Sequence, residues 1–497
     1  MKNIFASLFG LLLVMSVVSC NDYLDINDDP NNPSSVPATL TLPSAEITIA
    51  TTINADYAVV GGLWAQHWAQ SHVASQYRDE DRYDLTRLDY QTAWQELYAG
   101  ALVDLAKIEK EATTTGNWNL NLQAVCLTAF TYQMLADWYD QIPYAESLQG
   151  VEGNFAPQFQ DGATVYADLV NRLDAALAKD FGGDGVSQIS SDFVFGSLSE
   201  ADQVAAWTQF ANTLKLKLWL RQTKVNNAGA GTAISALLAN GNFLTQDAKI
   251  DVFVDLPDKS NPIYESNVRQ LNVKTNLRGS RTLVSWLQEN SDPRLDAYFV
   301  PGTTGHFGLW QGWFDAPTPV VAEQQPDVAI LSATRPVYLF TADEVMFMLA
   351  EANARYGSAG EAKGYYDAAT NAACVRVGTD CSAMVAPGGI YEYPNGTLTE
   401  NIKAIITQKW ASLVDRGYEA FWDQLRTGVP AIYNGNGLID PFNPPADYVP
   451  GTFTWSVGGK TAEGVFPKRL IWPELERNTN QNIPAEVGLT VPVWWAQ

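Results

Sequence analysis

The sequence predicts a mainly α-helical protein whose helices carry long irregular loops. Apolar residues recur at helical spacing through most of the 497-residue chain, whereas segments with strand-like alternation are few and short. The stretches between helices are long and rich in Gly, Pro, Asn and Asp, notably residues 241–281, 300–334 and 428–470. Because long loops on a helical scaffold commonly carry binding surfaces, we expect function to lie in these segments.

The first twenty residues have the features of a secretory signal that ends at a lipid-attachment site. Lys2 supplies a positive start, and Ile4–Val18 form an apolar run that is too short to span a bilayer. Ser19 is a small residue directly before Cys20. We therefore expect residues 1–19 to be a lipoprotein signal peptide and Cys20 to carry the lipid, palmitate included. An ordinary signal peptide with an incidental cysteine is the alternative.

The segment that follows Cys20 is rich in Asn, Asp, Pro and Ser, and such a composition does not build a core. We expect residues 20–40 to be a flexible acidic tether and residues 41–497 to form a single domain. The spacing Asp25-x-Asn27-x-Asp29 is similar to the start of a calcium loop. Pro30 stands where that loop requires Gly, so no metal site is predicted.

Helical periodicity marks nine segments after the tether, and two brief segments favour strands. The predicted helices are Tyr57–Gln76, Tyr90–Lys110, Asn119–Trp138, Thr164–Lys179, Gln203–Lys224, Thr232–Asn240, Ala342–Tyr356, Ala359–Ala373 and Thr399–Val414. The predicted strands are Ile250–Leu256 and Arg335–Phe340.

Residues 344–374 have the pattern of a tetratricopeptide hairpin. Ala350, Ala362 and Ala369 are small residues at positions where two helices would touch, and Gly357 lies at the turn between them. Small residues at such positions let the helices of a repeat pack closely. A plain helical hairpin is the alternative.

The composition excludes some partners and favours others. Acidic residues outnumber basic ones by 55 to 31, which gives a net charge of −24. Such a surface repels nucleic acid and anionic lipid, so no nucleic-acid partner is expected. Charged residues make up only 17% of the chain, and 16 Trp and 21 Tyr are present. This balance suits contact with uncharged polar ligands.

The cysteines divide into a close pair and a single residue. Cys374 and Cys381 are near each other in a chain predicted to be exported, so we expect a short-loop disulfide between them. Cys126 lies in an apolar helical stretch and is expected to be a buried free thiol.

Motifs for catalysis are scarce, so no catalytic residue and no cofactor are predicted. The sequence contains neither a His-Glu-x-x-His zinc helix nor a Gly-x-Ser-x-Gly elbow. His67 and His72 are five residues apart, which does not place them on one helical face. Carboxylates are plentiful, Asp137 and Asp140 among them, so a hydrolase that uses two acids stays open.

Two clusters of aromatic residues are candidates for a ligand site. Residues 305–315 place large rings among glycines, which let the backbone expose rings that a helix would bury. Flat rings flanked by polar side chains suit a sugar, whose C–H face stacks while its hydroxyls form hydrogen bonds. The alternative is that these rings cover the helical core. The candidate ligand-binding residues are Phe307, Trp310, Gln311, Trp313 and Phe314 here, with Trp310 and Trp313 foremost, and Trp68, Tyr77 and Arg82 in the second cluster.

Several sequence blocks occur in an order that resembles one known family. These blocks are Cys20–Pro33, Trp94–Tyr98, Leu135–Ser147, Trp207–Arg221, Asp292–Leu295, Gln408–Pro430 and Pro467–Glu476. Together they resemble the SusD/RagB-like nutrient-binding lipoproteins of Gram-negative outer membranes. Asp140 and Gln141 depart from the Gly-Asp that is usual there, and Trp472 replaces a Tyr. Arg221 and Arg426 in these blocks are expected to be buried partners of carboxylates rather than ligand contacts.

The resemblance implies a SusD/RagB-like scaffold of tetratricopeptide-like hairpins, with residues 41–497 as the nutrient-binding domain. It also implies a lipid-anchored protein at the cell surface of the outer membrane. Such a protein binds a nutrient, commonly a glycan, and delivers it to a SusC-like TonB-dependent β-barrel transporter without acting as an enzyme. A lipid-anchored glycan hydrolase and a structural or adhesin-like surface protein are the alternatives.

Overall fold

The structure is a computed structural model that describes residues 36–314, 325–435 and 444–497. Helices dominate these residues. The predicted signal peptide, Cys20, most of the tether and Asp315 lie outside them. The longest described strand has four residues. The predicted mainly α-helical class with long loops is confirmed. Within the described ranges, no helix has the length and apolarity needed to cross a membrane.

The helices are numbered here in chain order. The first nine are α1 Ala38–Ile53, α2 Asp56–Trp64, α3 Arg78–Asp81, α4 Gln91–Gln95, α5 Val103–Thr115, α6 Trp118–Tyr139, α7 Gly162–Leu177, α8 Glu200–Arg221 and α9 Asn227–Asn240. The others are α10 Pro262–Tyr264, α11 Arg281–Glu289, α12 Arg294–Tyr298, α13 Ala342–Tyr356, α14 Ala359–Arg376, α15 Ser382–Val385, α16 Leu398–Ser412, α17 Gly417–Thr427 and α18 Glu474–Thr479. Two π-helical segments are Glu96–Leu102 and Glu265–Gln270, and 3₁₀ turns are Gly150–Glu152, Val414–Arg416 and Trp494–Ala496.

The described residues contain eight short strands, and the pairs that these strands form are antiparallel. They are β1 Trp68–Gln70, β2 Ile142–Pro143, β3 Phe159–Gln160, β4 Ala248–Ile250, β5 Leu277–Gly279, β6 Phe299–Val300, β7 Val328–Ala329 and β8 Val337–Phe340. The largest sheet has the order β1-β5-β7-β6, with Trp68 opposite Gly279 and Phe299 opposite Ala329. The remaining strands form the pairs β2/β3 and β4/β8. The four-stranded sheet gathers loops that are far apart in sequence.

The core is built around α6, whose residues after Trp118 are all buried. A helix that is apolar on all sides belongs in the interior. Near its end, the Trp138 ring lies 5.6 Å from that of Tyr57, 5.8 Å from that of Trp64 and 5.1 Å from that of Trp422. Aromatic packing therefore joins α6 to α2 and α17.

Buried ion pairs connect α8 to α17. Arg221 Nη2 lies 2.7 Å from Glu419 Oε2, and Arg221 Nη1 lies 3.4 Å from Asp423 Oδ1. Within α17, Arg426 Nη2 lies 2.8 Å from the same Asp423 oxygen. The cations hold the pKa of Asp423 well below its usual range, even though burial alone would raise it. Removing one partner of such a pair leaves an uncompensated buried charge, so these residues support the fold.

The first described helix, α1, begins at Ala38, so the predicted tether ends no later than residue 37. The helix continues through Pro43, which cannot donate the hydrogen bond that the Thr39 carbonyl would otherwise accept. The Ser191 hydroxyl donates to that carbonyl instead. Because the substitute donor lies 152 positions away, local sequence patterns do not reveal this helix.

The predicted helix over residues 57–76 is wrong beyond Trp64, where α2 ends. Gln66 adopts a left-handed backbone with φ of 55°. Its side chain donates to Thr454 O at 2.6 Å and accepts from Thr454 N at 2.9 Å. This long-range pairing turns the chain out of the helix and allows residues 68–70 to form β1.

The hairpin predicted at residues 344–374 is formed by α13 and α14, and Ala350, Ala362 and Ala369 are fully buried. The predicted disulfide between Cys374 and Cys381 is confirmed, with Cα atoms 5.9 Å apart. Cys126 is a buried free thiol, as predicted.

Candidate ligand-binding site

The two aromatic clusters predicted from the sequence lie side by side. Gln311 Nε2 donates to Trp68 O at 2.7 Å and to Asp81 Oδ1 at 2.9 Å. Asp81 Oδ2 also accepts from Gly312 N at 2.9 Å and from Gln70 N at 3.1 Å. One buried carboxylate therefore fixes the backbone of both loops.

Burial governs the protonation of Asp81. It raises the pKa of this carboxyl from 3.8 to about 7, although the N–H groups of Gly312, Gln70 and Gln311 act in the opposite direction. Hydrogen bonds from backbone and side-chain amides stabilise the ionised form of a carboxyl, whereas removal from water disfavours it. The junction between the loops is consequently sensitive to pH near neutrality.

Trp68, Trp310 and Gln311 belong to the interior, because each is only 1% exposed. Trp310 packs edge-on against Tyr448, with ring centroids 5.0 Å apart. A ring whose faces are covered cannot stack on a ligand without rearrangement, so in this conformation these three residues support the loops. Phe307 is 6% exposed and packs with Leu309.

The other candidate residues lie nearer to solvent. Trp313, Phe314 and Arg82 are half-buried. The guanidinium of Arg78 lies 5.2 Å from the centre of the Phe314 ring, and Arg82 pairs with Asp79 at 2.6 Å. Their ligand-binding role remains a prediction, with Trp313 and Phe314 as the accessible rings of the loop.

Gly312 is required where the loop turns beneath these rings. Its φ is +73°, a left-handed backbone conformation that residues other than glycine adopt at an energetic cost. A Cβ atom at this position would lie 2.2 Å from Ser456 Oγ and 2.7 Å from Gly458 N. Val457 N donates to Gln311 O at 2.8 Å, so residues 456–458 form a third supporting segment.

His306 holds the other end of the same loop between two carboxylates. Its Nδ1 lies 2.6 Å from Asp327 Oδ2, and its Nε2 lies 2.8 Å from Asp296 Oδ1. Neutral imidazole carries one N–H, so the ring donates to both carboxylates in their ionised form only when it is protonated. Burial lowers the pKa of His306, but the bonds to Asp296 and Asp327 outweigh it and raise the pKa above 6.5.

A polar cleft of about 420 Å³ opens on one side of α3. Tyr77 lines it, whereas Phe314 contacts α3 through Arg78, so the short helix joins the cleft to the aromatic loop. We call this the acidic cleft. Its lining comprises Ala55, Asp56, Val59, Gln76, Tyr77, Glu80, Leu88, Asp89, Tyr90, Gln91, Thr92, Ser266, Gln270 and Leu271.

A second cavity of about 600 Å³ adjoins the acidic cleft, since Asp56 and Gln270 line both. Its walls are more apolar and include Phe193, Val252 and Val254. Each of the two volumes is within the range of sites that bury small ligands. An extended ligand with several units could occupy both.

Sequence reasoning named only Tyr77 among the residues that line the acidic cleft. It missed Asp56, Glu80, Asp89 and Tyr90, which come from separate segments of the chain. The run Tyr77-Arg-Asp-Glu80 was a usable signal, because it places a ring and carboxylates in one turn. Nothing in the local sequence indicated that Ser266, Gln270 and Leu271 also line the cleft.

Comparison with protein families identifies one family. Residues 30–445 match the SusD-like family model described as "Starch-binding associating with outer membrane". No curated protein sequence matches the chain significantly.

Solved structures share the fold at low sequence identity. A SusD homologue from Bacteroides uniformis is 20% identical with a TM-score of 0.70, and the match covers 92% of this chain and 99% of that one. A chitin-binding SusD homologue from Flavobacterium johnsoniae is 18% identical with a TM-score of 0.72, covering 91% and 98%. A SusD-like protein from Bacteroides thetaiotaomicron is 19% identical with a TM-score of 0.70, covering 92% and 98%.

Proposed function

The chain belongs to the SusD-like family of starch-binding proteins that associate with the outer membrane, and from this premise we propose that it binds a glycan and delivers it to a TonB-dependent transporter. The observation that carries the proposal is the acidic cleft beside the half-buried rings of Trp313 and Phe314. The loop that carries the two rings is joined to α3 by hydrogen bonds from Gln311 and Gly312 to the Asp81 carboxylate.

The chemistry of this region suits a sugar. Tyr77 and Tyr90 bring rings to the cleft, and Gln76 and Gln270 bring amides that can pair with hydroxyls. Trp313 and Phe314 are half-buried rings, and the Phe314 ring contacts Arg78 of α3. A glycan can stack its C–H face on the rings, and its hydroxyls can donate hydrogen bonds to the carboxylates and amide oxygens. It would therefore use both the aromatic and the polar groups of this region.

We propose that the protein binds without turnover. A panel of oligosaccharides, including starch and chitin fragments, should reveal at least one ligand by isothermal titration or by a shift in tryptophan fluorescence. The bound oligosaccharide should be recovered unchanged after prolonged incubation. Release of shorter sugars would favour a hydrolase, and failure of every glycan to bind would contradict the proposal.

We further propose that Cys20 anchors the protein to the outer membrane at the cell surface through lipid. Residues between Cys20 and α1 would span at most about 60 Å if fully extended, which leaves the domain free to move over a transporter. Acyl chains contribute about 0.8 kcal/mol per buried CH₂. Cys20→Ala should therefore release the protein into the soluble fraction, and retention with the membrane would contradict the anchor.

The exposed apolar groove beside residues 150–157 is our candidate for the contact with the transporter. The groove has a volume of about 450 Å³ and includes Trp94 and Tyr98. On its rim, Val151 is 95% exposed and Phe155 is 76% exposed. Large apolar side chains that remain this exposed commonly mark protein interaction sites.

The transporter contact can be tested by extraction from native cells in mild detergent. A β-barrel should purify with the protein, and Val151→Ser with Phe155→Ser should weaken that association while glycan binding persists. A matched control is Val375→Ser, which changes a residue that is 61% exposed on α14. Co-purification that survives the double variant would move the contact to another surface.

A further inference from the structure

A polar pocket of about 450 Å³ lies between α5, α6, α7 and residues 144–149. It shares no lining residue with the acidic cleft, whereas Ser147 and Leu148 also line the apolar groove beside residues 150–157. The volume is within the range of sites that bury small ligands. This pocket is therefore a cavity separate from the proposed glycan site.

The buried part of the lining is rich in hydroxyl groups. Thr128, Tyr132, Tyr144 and Ser147 line the cavity, which we call the hydroxyl pocket, and all four side chains are buried. The Tyr132 hydroxyl lies 2.6 Å from Ser147 Oγ, and the Tyr144 hydroxyl donates to Asp168 Oδ2 at 2.6 Å. Three of the four hydroxyls are therefore paired.

The Thr128 hydroxyl has no such partner. Thr128 is only 5% exposed, and its hydroxyl forms no hydrogen bond within the described ranges. A helical threonine can donate to the carbonyl four positions earlier, as Thr131 does to Leu127 O at 2.8 Å in the same helix. Because an unpaired buried hydroxyl is costly, its location on the wall of a pocket indicates a partner that enters from outside the chain.

Charged side chains lie nearer to solvent around the hydroxyl pocket. Glu109, Asp168 and Arg172 line it, and all three are half-buried. Arg172 Nη2 lies 2.6 Å from Glu109 Oε2. The lining therefore combines a paired guanidinium with a second carboxylate, and it offers both donors and acceptors of hydrogen bonds.

This combination suits a neutral ligand with several hydroxyls. Carboxylate oxygens accept hydrogen bonds from hydroxyls, the guanidinium donates to oxygen, and the Thr128 hydroxyl can do either. An anionic ligand would meet the like charges of Glu109 and Asp168. An apolar ligand would remove water from the polar groups of the lining without replacing its hydrogen bonds.

We propose that the hydroxyl pocket binds a single neutral sugar or polyol through the Thr128 hydroxyl, the Asp168 carboxylate and the Arg172 guanidinium. This inference does not rest on the glycan-binding function proposed for the acidic cleft, since the two cavities have separate linings. The bound sugar would lie beside the candidate contact with the transporter, because Ser147 and Leu148 line both the pocket and the apolar groove.

Ligand-observed NMR tests the proposal with defined probes. Saturation-transfer spectra of the purified protein with glucose, galactose, mannose and myo-inositol should show binding of at least one, with a dissociation constant on the order of 1 mM. Glucuronate should bind at least about tenfold more weakly than the best neutral probe. Binding of none of the four neutral probes, or equal binding of glucuronate, would overturn the proposal.

Thr128→Val distinguishes a binding role from a structural one. Valine keeps the shape of the side chain and removes the unpaired hydroxyl, so the thermal midpoint should stay unchanged or rise while binding of the sugar weakens about tenfold. Thr131→Val is the matched control, because it removes a paired hydroxyl on the same helix outside the pocket lining. The control should bind the sugar normally. Unchanged binding by Thr128→Val would overturn the role of this hydroxyl.

A blocking variant locates the sugar without touching the buried lining. Ala106 is exposed on α5 and lines the pocket, so Ala106→Phe should fill the entrance and abolish binding of the sugar. Lys107→Phe, at the next exposed position and outside the lining, should leave binding intact. Binding that survives Ala106→Phe would overturn the assignment to this pocket.

The outcomes also separate this inference from the proposed function. Trp313→Ala with Phe314→Ala changes the proposed glycan site and should retain binding of the single sugar. Loss of the sugar in that variant would place it in the glycan site and overturn the inference. The oligosaccharide panel, repeated with Ala106→Phe, decides independently whether the protein binds glycans.

Discussion

The side-chain amide of Gln311 donates to the carboxylate of Asp81 at 2.9 Å, across 230 positions of sequence. The same carboxylate receives the backbone N–H groups of Gly312 and Gln70. Both residues are buried, so the junction is shielded from water. The relative position of the aromatic loop and of α3 therefore depends on one acid whose pKa is raised to about 7.

Asp81 should make the free energy of unfolding depend on pH. Between pH 3.8 and about 7, the folded protein keeps this proton whereas the unfolded chain releases it. The unfolded state then binds fewer protons, so the contribution of Asp81 to stability falls as pH rises through this range, by at most roughly 1.4 kcal/mol per pH unit. Asp81→Asn removes that contribution.

Denaturant unfolding of both proteins at several pH values measures this effect. The difference in stability, wild type minus Asp81→Asn, should decrease from mildly acidic to neutral pH and then level off. The variant also places an amide N–H group near the donor of Gln311. We therefore expect an additional, pH-independent decrease of about 1–3 kcal/mol in the free energy of unfolding. Parallel profiles for the two proteins would show that Asp81 does not titrate in this range.

Gly312→Ala should destabilise the aromatic loop. The new Cβ meets both an unfavourable φ of +73° and the backbone nitrogen of Gly458 at 2.7 Å, so we expect a loss of roughly 2–4 kcal/mol. Gly305→Ala is the matched control, because Gly305 has a φ of +104° and its Cβ would meet no atom within 4 Å. Its cost should be limited to the backbone strain, about 1–2 kcal/mol. Equal losses in the two variants would rule out the close contact as the cause.

Trp313 and Phe314 should contribute to ligand binding, and Trp310 to stability. Trp313→Ala with Phe314→Ala should abolish binding of the glycan found in the panel and lower the thermal midpoint only slightly. Trp310→Ala removes a ring that is 1% exposed, which should cost about 3–5 kcal/mol of folding free energy. Titration and thermal unfolding of both variants distinguish the two roles. Normal binding by the double variant would place the ligand away from this loop.

The disulfide should stabilise the end of the helical hairpin. Cys374 and Cys381 are separated by seven positions, and loop entropy predicts a contribution of about 2.5 kcal/mol for a loop this short. Mass spectrometry of the oxidised protein should find the two peptides linked. Cys374→Ala with Cys381→Ala should lower the free energy of unfolding by a similar amount, whereas an unchanged denaturation midpoint would show that the bond adds no stability.

Local patterns were sufficient for most helices. The segment that became α6 repeats apolar residues at every face, and the hairpin of α13 and α14 carries small residues at its contacts. The predicted pairing of Arg221 and Arg426 with carboxylates is confirmed at Glu419 and Asp423. The helices can be predicted because apolar and small residues recur at helical spacing in the sequence. The ion pairs can be predicted because a charge that is buried without a partner is costly.

The sequence by itself determined the helical class, the close cysteine pair and the two loops rich in aromatic residues. Tertiary structure decided which rings are accessible: Trp310 is buried against Tyr448, and Trp313, three positions later, is only half-buried. It also assembled the acidic cleft, whose carboxylates Asp56 and Glu80 come from different segments. The physical reason is that exposure and charge compensation depend on neighbours hundreds of positions away, whereas helix formation depends on residues within a few turns.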